Sequence, residues 1–439
     1  MKIAYITAGA AGMYCGSCMK DNTLAAALNK LGHDCLLMPT YTPIRTDEDD
    51  VSQHRVFFGG INVYLQQKSW LFRHTPWLWD RLLDFPRLLR WVSRFAVSTR
   101  AEQLGSLTVS MLQGRDGKQR KEVAKLVQFL ATDYRPDVVV LSNLLLSGLV
   151  PELKNAWARP VLGVLQGDDI YLESLPPADR AACIELIRKN GDSFDGFMAT
   201  SGYYADFMAG YLGLPRERMR VVYPGINLAG HGPPPDRPAA EPFTIGYFAR
   251  ICPEKGFHQA VDAYVAYRAL PDAPPSRFRV AGWLGDHHRA YFESNLQKLR
   301  DAGLASEVEH VDCPTHADKV RFLRSLDVLS VPTTYREPKG LYVLEALANG
   351  VPVVQPAHGS FPELVEATGG GLLVEPGDAA ALARAWRRLA DDRPEARQLG
   401  ALGRNAVLSR FTAEGMARAT LDVLAAYHDS KAHPETVAP

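Results

Sequence analysis

The stretch Tyr335–Gly359, YREPKGLYVLEALANGVPVVQPAHG, decides how the rest of the chain is interpreted. The apolar run Asp327–Pro332 precedes it and is typical of a buried parallel strand. After a short loop, apolar residues recur at i+3 and i+4 spacing over Leu341–Ala348, which predicts a helix. Asn349–Gly350 ends that helix, and Val351–Gln355 is predicted to be the next strand. The order strand, tight loop, helix, strand is that of a parallel α/β sheet.

The start of this helix is a predicted anion site. Its unpaired N–H groups and its dipole favour negative charge, and Gly340, next to Leu341, lets the backbone approach a ligand. Glu337 lies in the loop and Glu345 in the second turn, leaning back toward the loop. A carboxylate repels phosphate, so we expect Glu345 to bind the hydroxyls of a ribose beside the phosphate. Glu337 is then left to face a second, sugar-like group.

These residues carry a family resemblance. Glu337-Pro-Lys-Gly-Leu, followed by Glu345-Ala-Leu-Ala, resembles the Glu-x7-Glu signature of family-4 retaining glycosyltransferases. Lys339 stands where that family often has Phe. The resemblance implies the α/β GT-B fold, in which two facing, doubly wound, Rossmann-like domains enclose the active site and a C-terminal helix crosses back to the N-terminal domain. It also implies that the anomeric configuration is retained.

Composition sets the outer limits. A chain of 439 residues with 46% apolar and 22% charged residues is an ordinary globular protein of two or three domains. The formal net charge is zero, so no global field points to nucleic acid as a partner. We find no long uncharged apolar run and no signal-peptide pattern, and the six scattered cysteines do not form a disulfide framework. The cytoplasm is the simplest compartment.

The N-terminal half begins with strand Lys2–Thr7, a glycine-containing loop, a helix from about Met19 to Leu31, and strand Asp34–Pro39. Such a loop can cradle phosphate, and Gly16 is the candidate backbone contact. The region resembles the start of bacterial glycogen synthases. Those enzymes have a Lys-x-Gly-Gly loop, whereas the matching positions here, 13–16, read Met-Tyr-Cys-Gly, so the donor-phosphate lysine is absent.

The same loop contains Cys15-Gly16-Ser17-Cys18, a Cys-x-x-Cys at a helix start. Three interpretations stay open. The two thiols can be small packing residues near a ligand, a reversible redox pair, or metal ligands. The other cysteines supply no second pair at short spacing for a metal site. If the pair is redox active, we expect oxidation to slow the reaction and reductant to restore it.

A helical insertion over about residues 66–115 interrupts the alternation of strands and helices. It combines four tryptophans with several arginines, and Pro76 and Pro86 break any long amphipathic helix. The segment therefore either covers the domain and lines the cleft or contacts an anionic acceptor or the inner face of a membrane. Its order of residues resembles the glycogen synthase N-terminal domain, which implies a role in acceptor binding.

Regular alternation then resumes, and polar residues follow two of the strands. Asn143 stands after strand Asp137–Leu141, and Gln166 and Asp168 stand after strand Pro160–Leu165. Ligands of doubly wound sheets bind at such strand ends. Relatives of the resembled family often have a histidine near the position of Gln166. A glutamine cannot titrate, but it can bond a sugar hydroxyl or polarise an acceptor. Asp168 either binds substrate or caps its loop.

The second domain opens with strand Phe243–Phe248 and a loop that contains Arg250 and Lys255. Two cations between a strand and a helix suit a diphosphate, and the pattern resembles the family's signature of Gly-Arg followed, after a short spacer, by Lys-Gly. Strand Val308–Val311 leads to Pro314, and the resemblance implies that the nucleotide base binds beside this loop. The candidate catalytic residues are therefore Arg250, Lys255, Glu337 and Gln166.

Domain boundaries follow from composition. We predict an N-terminal acceptor-side domain over residues 1–227 and a Pro- and Gly-rich linker over 228–242. A nucleotide-sugar-binding domain covers 243–410, a crossing helix 411–429 and a disordered tail 430–439.

No metal or other cofactor is expected. Asp47-Glu48-Asp49 matches an Asp-x-Asp metal motif only formally, inside an acidic turn, and His287-His288 lacks further ligands at zinc spacing. The predicted function is transfer of a sugar from a nucleotide-sugar donor to a carbohydrate or lipid-linked acceptor. Two alternatives stay open, a non-catalytic sugar-nucleotide-binding protein and a GT-B-type epimerase. An epimerase needs an acid/base pair at the sugar, and no clear pair is found.

Overall fold

A computed structural model describes residues 1–9, 14–53, 101–235 and 241–432. The chain forms two compact units. Unit 1 comprises Met1–Tyr223 and Met416–Pro439, and unit 2 comprises Pro224–Gly415. Of the predicted helical insertion, residues 66–100 lie outside the described ranges, as do the predicted tail from 433 onward and residues 236–240 of the predicted linker. The segment 101–112 of the insertion is helical.

Unit 1 is built on a parallel six-stranded sheet with the order β2-β1-β3-β4-β5-β6. Strand β1 lies between β2 and β3, with Tyr5 opposite Leu37 on one side and Val140 on the other. The central strands are fully buried apolar runs, as expected of parallel strands covered on both faces. The strands are β1 (Lys2–Thr7), β2 (Asp34–Pro39), β3 (Val138–Leu141), β4 (Val161–Leu165), β5 (Gly196–Ala199) and β6 (Met219–Val221).

Helices connect these strands and cover the sheet. They are α1 (Gly16–Lys30), α2 (Ala101–Leu112), α3 (Arg120–Gln128), α4 (Val150–Ala156), α5 (Asp168–Glu173), α6 (Pro177–Gly191) and α7 (Gly202–Leu212). The core of unit 1 fills the space between helices and sheet with aliphatic and aromatic side chains such as Leu141, Leu165 and Phe197.

Unit 2 repeats the architecture with a parallel sheet of order β12-β11-β10-β7-β8-β9. Its strands are β7 (Phe243–Phe248), β8 (Ser276–Ala281), β9 (Val308–Val311), β10 (Val328–Leu329), β11 (Val353–Pro356) and β12 (Gly371–Val374). Its helices are α8 (Phe257–Arg268), α9 (Arg289–Asp301), α10 (His316–Arg324), α11 (Leu341–Ala348), α12 (Phe361–Thr368), α13 (Ala379–Asp391) and α14 (Arg393–Arg410). Both sheets reverse strand order beside a central strand, which is the doubly wound pattern predicted from the sequence.

The last helix, α15 (Ala413–Ala432), starts in unit 2 and continues in unit 1. Its first turn is tied to unit 2, where the Ala413 N–H donates to the Ile226 carbonyl and the Ile226 N–H to the Phe411 carbonyl. Farther along, Met416 and Thr420 are buried in unit 1. The C-terminal helix therefore belongs to both units.

Several element boundaries differ from the prediction. Strand β10 is only Val328–Leu329, because the Val331 N–H donates to the side chain of Gln355 rather than to a neighbouring strand. Strand β11 starts at Val353 because Pro352 has no N–H to donate. Helix α1 starts at Gly16 instead of Met19, since the Cys15 carbonyl already accepts from Met19. In the part of the chain that the structure describes, no helix is both long and apolar enough to span a membrane.

Candidate active site

Two loops of unit 2 come together at the carboxyl end of its sheet. One loop follows β7 and ends at Gly256, and the other follows β10 and leads to α11. Gly256 has φ +69°, and a Cβ there would lie 1.6 Å from the Pro332 carbonyl oxygen, so only glycine allows this approach. The Thr334 N–H donates to the Glu254 carbonyl at 3.0 Å. The backbone thus fixes Lys255 beside the loop of Glu337.

Lys255 and Glu337 form a buried ion pair, with Nζ 2.6 Å from Oε2. The same carboxylate oxygen accepts from the hydroxyls of Tyr335 at 2.9 Å and Tyr342 at 3.1 Å. The other oxygen, Oε1, faces the N–H groups of Lys339 and Gly340, each at 3.4 Å. Glu337 is 4% exposed. A carboxylate held by so many donors has a fixed position in the loop before α11.

Electrostatics keep this carboxylate ionised. Burial alone would raise the pKa of Glu337, but Lys255 and the surrounding donors outweigh it and lower the pKa from 4.5 to about 2. Burial lowers the pKa of the Lys255 ammonium, and Glu337 opposes that shift. Burial and the nearby Glu337 raise the pKa values of Tyr335 and Tyr342, so both phenols keep their protons and donate. The pair therefore presents a cation and an anion side by side.

Arg250 brings a second cation to the same place. It follows β7, its side chain is half-buried, and its carbonyl accepts from the Tyr247 hydroxyl at 3.1 Å. Its charge contributes to a lowered pKa at both Lys255 and Glu254. Arg250 and Lys255, predicted together from one motif, are thus electrostatic neighbours in the structure.

The start of α11 lies against this cluster. Gly340 is the N-cap with φ +64°, Leu341 is the first helical residue, and no side chain caps the helix. The loop is supported from below by Gly359, where a Cβ would lie 2.5 Å from the Glu337 nitrogen. The Ser360 N–H donates to the Glu337 carbonyl at 2.8 Å. Gly359 is a site residue that the sequence analysis missed, although it closes the quoted stretch.

Glu345 belongs to a second buried ion pair, with its Oε1 2.7 Å from the Nζ of Lys319. Lys319 is 3% exposed and lies in α10, whose start is fixed by a capping box between Thr315 and Asp318. Pro314 is exposed and directly precedes that cap. Lys319 was missed by the sequence analysis. The Thr-x-x-Asp capping signal and its place beside the apolar Val320 could have put it on the buried face of a helix.

In unit 1 the predicted residues also meet at strand ends. Gln166, directly after β4, is 2% exposed, and its Nε2 donates to the Ser142 carbonyl at 2.7 Å and to both Asp21 oxygens at 3.3 Å. Asn143 follows β3 and is half-buried. Its Oδ1 is buried without a hydrogen-bond partner among the described residues. These strand ends therefore hold a fixed amide beside a polar group that could accept from a ligand.

The Asp168 carboxylate accepts hydrogen bonds from nearby backbone N–H groups. Its Oδ1 accepts from the Leu144 N–H at 2.7 Å and its Oδ2 from the Gln166 N–H at 3.3 Å. Burial raises its pKa from 3.8 to about 6, partly offset by these N–H groups. Of the two predicted roles for Asp168, the observed contacts are those of a loop cap. The neighbouring Asp169 accepts from the Tyr204 hydroxyl.

Gly16 is the exposed first residue of α1, and Ser17 donates to the Gln166 carbonyl at 3.4 Å. The Cys-x-x-Cys therefore lies close to the residues at the strand ends. Cys15 is the N-cap of α1, Cys18 is buried, and both are reduced thiols. The hydrogen bond to Cys15, together with burial, raises the pKa of Cys18.

Over residues 1–9, 14–53, 101–235 and 241–432, no group of three or more His, Cys, Asp or Glu side chains is arranged to hold a metal ion. The cations at the candidate site include Arg250, Lys255, Lys319 and Lys339, and Lys339 also helps to lower the pKa of Glu337.

Comparison with known proteins adds family evidence. Residues 22–225 match the family described as "Glycosyl transferase 4-like domain", and residues 235–406 match "Glycosyl transferases group 1". Among curated relatives, the lipopolysaccharide core biosynthesis mannosyltransferase LpsB of Rhizobium meliloti is 34% identical over 53% of this chain and 65% of its own length. Glycogen synthase of Mycobacterium tuberculosis is 27% identical over 70% of this chain and 73% of its own.

Among solved structures, HepE of Anabaena in complex with UDP matches with a TM-score of 0.67 at 18% identity, covering 97% of this chain and 100% of HepE. At that identity the likeness establishes the fold alone. Two parallel doubly wound units, with cations gathered at a strand-to-helix loop, define a protein of the GT-B class. The two sequence matches add the family, and the chain belongs to the family-4-like glycosyltransferases.

Proposed function

We propose that this protein transfers a sugar from a nucleoside-diphosphate sugar to a hydroxyl of a carbohydrate or lipid-linked acceptor, with retention and without a metal ion. The observation that carries the proposal is the buried Lys255–Glu337 pair at the start of α11, with Arg250 beside it. The relatives support the donor class, since one is named a mannosyltransferase and HepE was solved with UDP.

The reaction needs positive charge at the leaving group. A diphosphate gains negative charge as its bond to the anomeric carbon breaks, and Arg250, Lys255 and the N–H groups in the first turn of α11 can stabilise it. Such preorganised donors do the work that a metal does in other transferases. Glu337 remains ionised and can accept from the hydroxyls of the donor sugar.

The ribose and the acceptor complete the assignment. Glu345, oriented by Lys319, can accept from the ribose hydroxyls, and Pro314 borders the loop proposed for the base. In unit 1, Gln166 and Asn143 are the polar groups proposed to bind the reacting sugar or its acceptor. Gly16 adds a backbone contact at the start of α1.

The test is a panel of donors. Thermal unfolding is measured with UDP-glucose, GDP-mannose and ADP-glucose, because a ligand at 100 times its dissociation constant adds about 2.7 kcal/mol of stability. The donor that stabilises the protein is then assayed for nucleoside diphosphate release with and without a mixture of acceptors. Binding without turnover would favour a non-catalytic sugar-nucleotide-binding protein, and a changed but untransferred sugar would favour an epimerase.

A further inference from the structure

Unit 1 contains a buried carboxylate that the proposed reaction does not yet use. Asp21, in the second turn of α1, is 0% exposed. It accepts from the Tyr5 hydroxyl at 3.0 Å and the Thr7 hydroxyl at 3.3 Å, and the Lys20 ammonium lies 3.3 Å away. A charge taken out of water is costly, so a carboxylate surrounded by donors in this way fixes the groups around it.

The fourth neighbour of Asp21 is the side-chain amide of Gln166. Its Nε2 lies 3.3 Å from each Asp21 oxygen and 2.7 Å from the Ser142 carbonyl oxygen. An ionised carboxylate and a carbonyl accept hydrogen bonds but cannot donate them. Turning the amide over would set Oε1 against three oxygen atoms. Because these neighbouring atoms can only accept hydrogen bonds, the NH2 end of the Gln166 amide faces them.

We infer that Asp21 is a positioning residue that holds Gln166 with its nitrogen inward, so that Oε1 is the atom Gln166 offers to a substrate hydroxyl. Gln166 then acts only as a hydrogen-bond acceptor, and it selects a ligand that donates at that point. This inference rests on the proposed function, because it assigns the polarity of a residue placed in that reaction.

Replacing Asp21 by asparagine (D21N) tests this polarity at constant shape. The amide introduced at position 21 has one acceptor and one donor, and its NH2 group cannot face the Nε2 of Gln166. The Gln166 amide then either turns over or loses its fixed orientation. We expect D21N to lower turnover about tenfold or more, with the dissociation constant for UDP or GDP unchanged, because unit 2 holds the proposed nucleotide site.

A double-mutant cycle separates positioning from general damage. Gln166→Ala should lower turnover more than it weakens donor binding. If Asp21 acts through Gln166, D21N/Q166A should be no slower than Q166A within about twofold, because coupled residues are not additive. If the turnover loss of the double variant equals the product of the two single-variant losses, the inference is overturned. Asp116→Asn is the matched control. It makes the same chemical change at an exposed carboxylate of the same unit, and this swap should leave turnover unchanged.

Gln166→Glu gives an independent test that does not depend on the folding of D21N. The introduced carboxyl group, when protonated, can donate inward and accept outward like the native amide, whereas its ionised form would meet the Asp21 carboxylate. The ratio of Q166E activity to wild-type activity should therefore fall as pH rises. The titration of Asp168 occurs in both proteins and cancels in this ratio. A constant ratio would overturn the inference.

A spectroscopic readout keeps the inference separate from the proposed function. In protein labelled with 15N-glutamine, the Gln166 side-chain NH2, assigned by its loss in Q166A, should be protected from hydrogen exchange and lose that protection in D21N. Unprotected protons in the wild type would overturn the orientation. If the protons are protected but the protein releases no nucleotide from UDP-glucose, GDP-mannose or ADP-glucose, the inferred orientation is supported and the proposed transfer reaction is contradicted.

Discussion

Glu337 in unit 2 and Asp168 in unit 1 are both buried carboxylates beyond the end of a parallel strand, yet their pKa values are shifted in opposite directions. The pKa of Glu337 is lowered to about 2 and that of Asp168 is raised to about 6. Glu337 has an ammonium 2.6 Å away, whereas among the described residues Asp168 is held by backbone N–H groups and has Asp169 as a charged neighbour. Burial penalises both charges, and only a buried cation outweighs the penalty.

The two candidate regions also differ in the charged groups that surround their carboxylates. In unit 2 each glutamate of the Glu-x7-Glu signature is paired with a lysine from another element, Glu337 with Lys255 and Glu345 with Lys319. In unit 1 the principal groups are the neutral amide of Gln166, Asp168 bound by backbone N–H groups, and Asp21, which is bound by hydroxyls and has the Lys20 ammonium 3.3 Å away. Under the proposed function, unit 2 with Arg250 beside its ion pairs would hold the anionic phosphates, and unit 1 would orient neutral hydroxyls.

The largest expected effect comes from removing the cations of unit 2. We expect Lys255→Ala and Arg250→Ala each to lower transfer about 100-fold or more, the scale of losing one charge-stabilising donor. Steady-state turnover with the donor found in the panel measures this. Near-normal turnover in both variants would contradict the diphosphate assignment.

Lys255 has a second role that separates stability from activity. Lys255→Ala leaves Glu337 buried without its cation, which should cost about 3–5 kcal/mol of unfolding free energy. Lys255→Met/Glu337→Gln removes both charges and should recover most of that stability in urea unfolding but none of the activity. Recovery of turnover in the double variant would show that the pair is structural only.

Asp168→Asn should remove a pH dependence. A raised pKa in the folded state means that the folded protein binds the proton more tightly, so this contribution to stability is present below about pH 4 and is lost as pH rises through 6. The difference between wild type and variant should change by about 3 kcal/mol over that window, at about 1.4 kcal/mol per pKa unit. Glu337 has the opposite sign and loses its contribution as pH falls toward 2.

Urea unfolding at pH 4, 5, 6 and 7, with hydrogen exchange of β4 amides to assign unit 1, measures the Asp168 effect. Asp116→Asn controls for the loss of one exposed carboxylate in the same unit. A pH slope in Asp168→Asn equal to that of the wild type would contradict the raised pKa and weaken the comparison with Glu337.

A smaller effect is expected at the ribose. Lys319→Met should weaken binding of UDP or GDP about tenfold, or about 1.4 kcal/mol, because Glu345 loses the cation that orients it. The 2′,3′-dideoxy nucleotide should bind wild type and variant almost equally. An equal loss for both nucleotides, measured by calorimetry, would mean that Lys319 acts on folding and not on the ribose.

The smallest effect concerns Cys15 and Cys18. Glutathione disulfide is expected to oxidise the pair, as Cys15 attacks it and Cys18 then displaces the mixed disulfide, releasing two glutathiones. The bond would stiffen the start of α1 next to Gln166 and slow transfer partially and reversibly. Activity across a glutathione series is compared with that of Cys15→Ser/Cys18→Ser. Identical, redox-independent activity in both proteins would leave packing as the role of this pair.

The fold class and most of the residues proposed to act could be predicted from the amino-acid pattern. Strands Lys2–Thr7, Asp34–Pro39 and Phe243–Phe248 were predicted with the bounds that the structure has, because a largely apolar run is a local property. Arg250, Lys255, Glu337 and Glu345 were found because each lies in a short pattern around a strand-to-helix loop. Boundaries failed where a side chain or a proline replaced a ladder hydrogen bond, as at Val331 and Pro352.

The pairing of the charged side chains could be seen only in the folded structure. Lys255 and Glu337 are 82 residues apart, and Asp21 and Gln166 are 145 apart, so no local pattern could have linked them. The pairing also depends on backbone approaches such as that of Gly256 to Pro332. Ionisation, orientation and hydrogen-bond polarity depend on distances of a few ångströms and on exclusion of water, and these are fixed only when distant segments pack together.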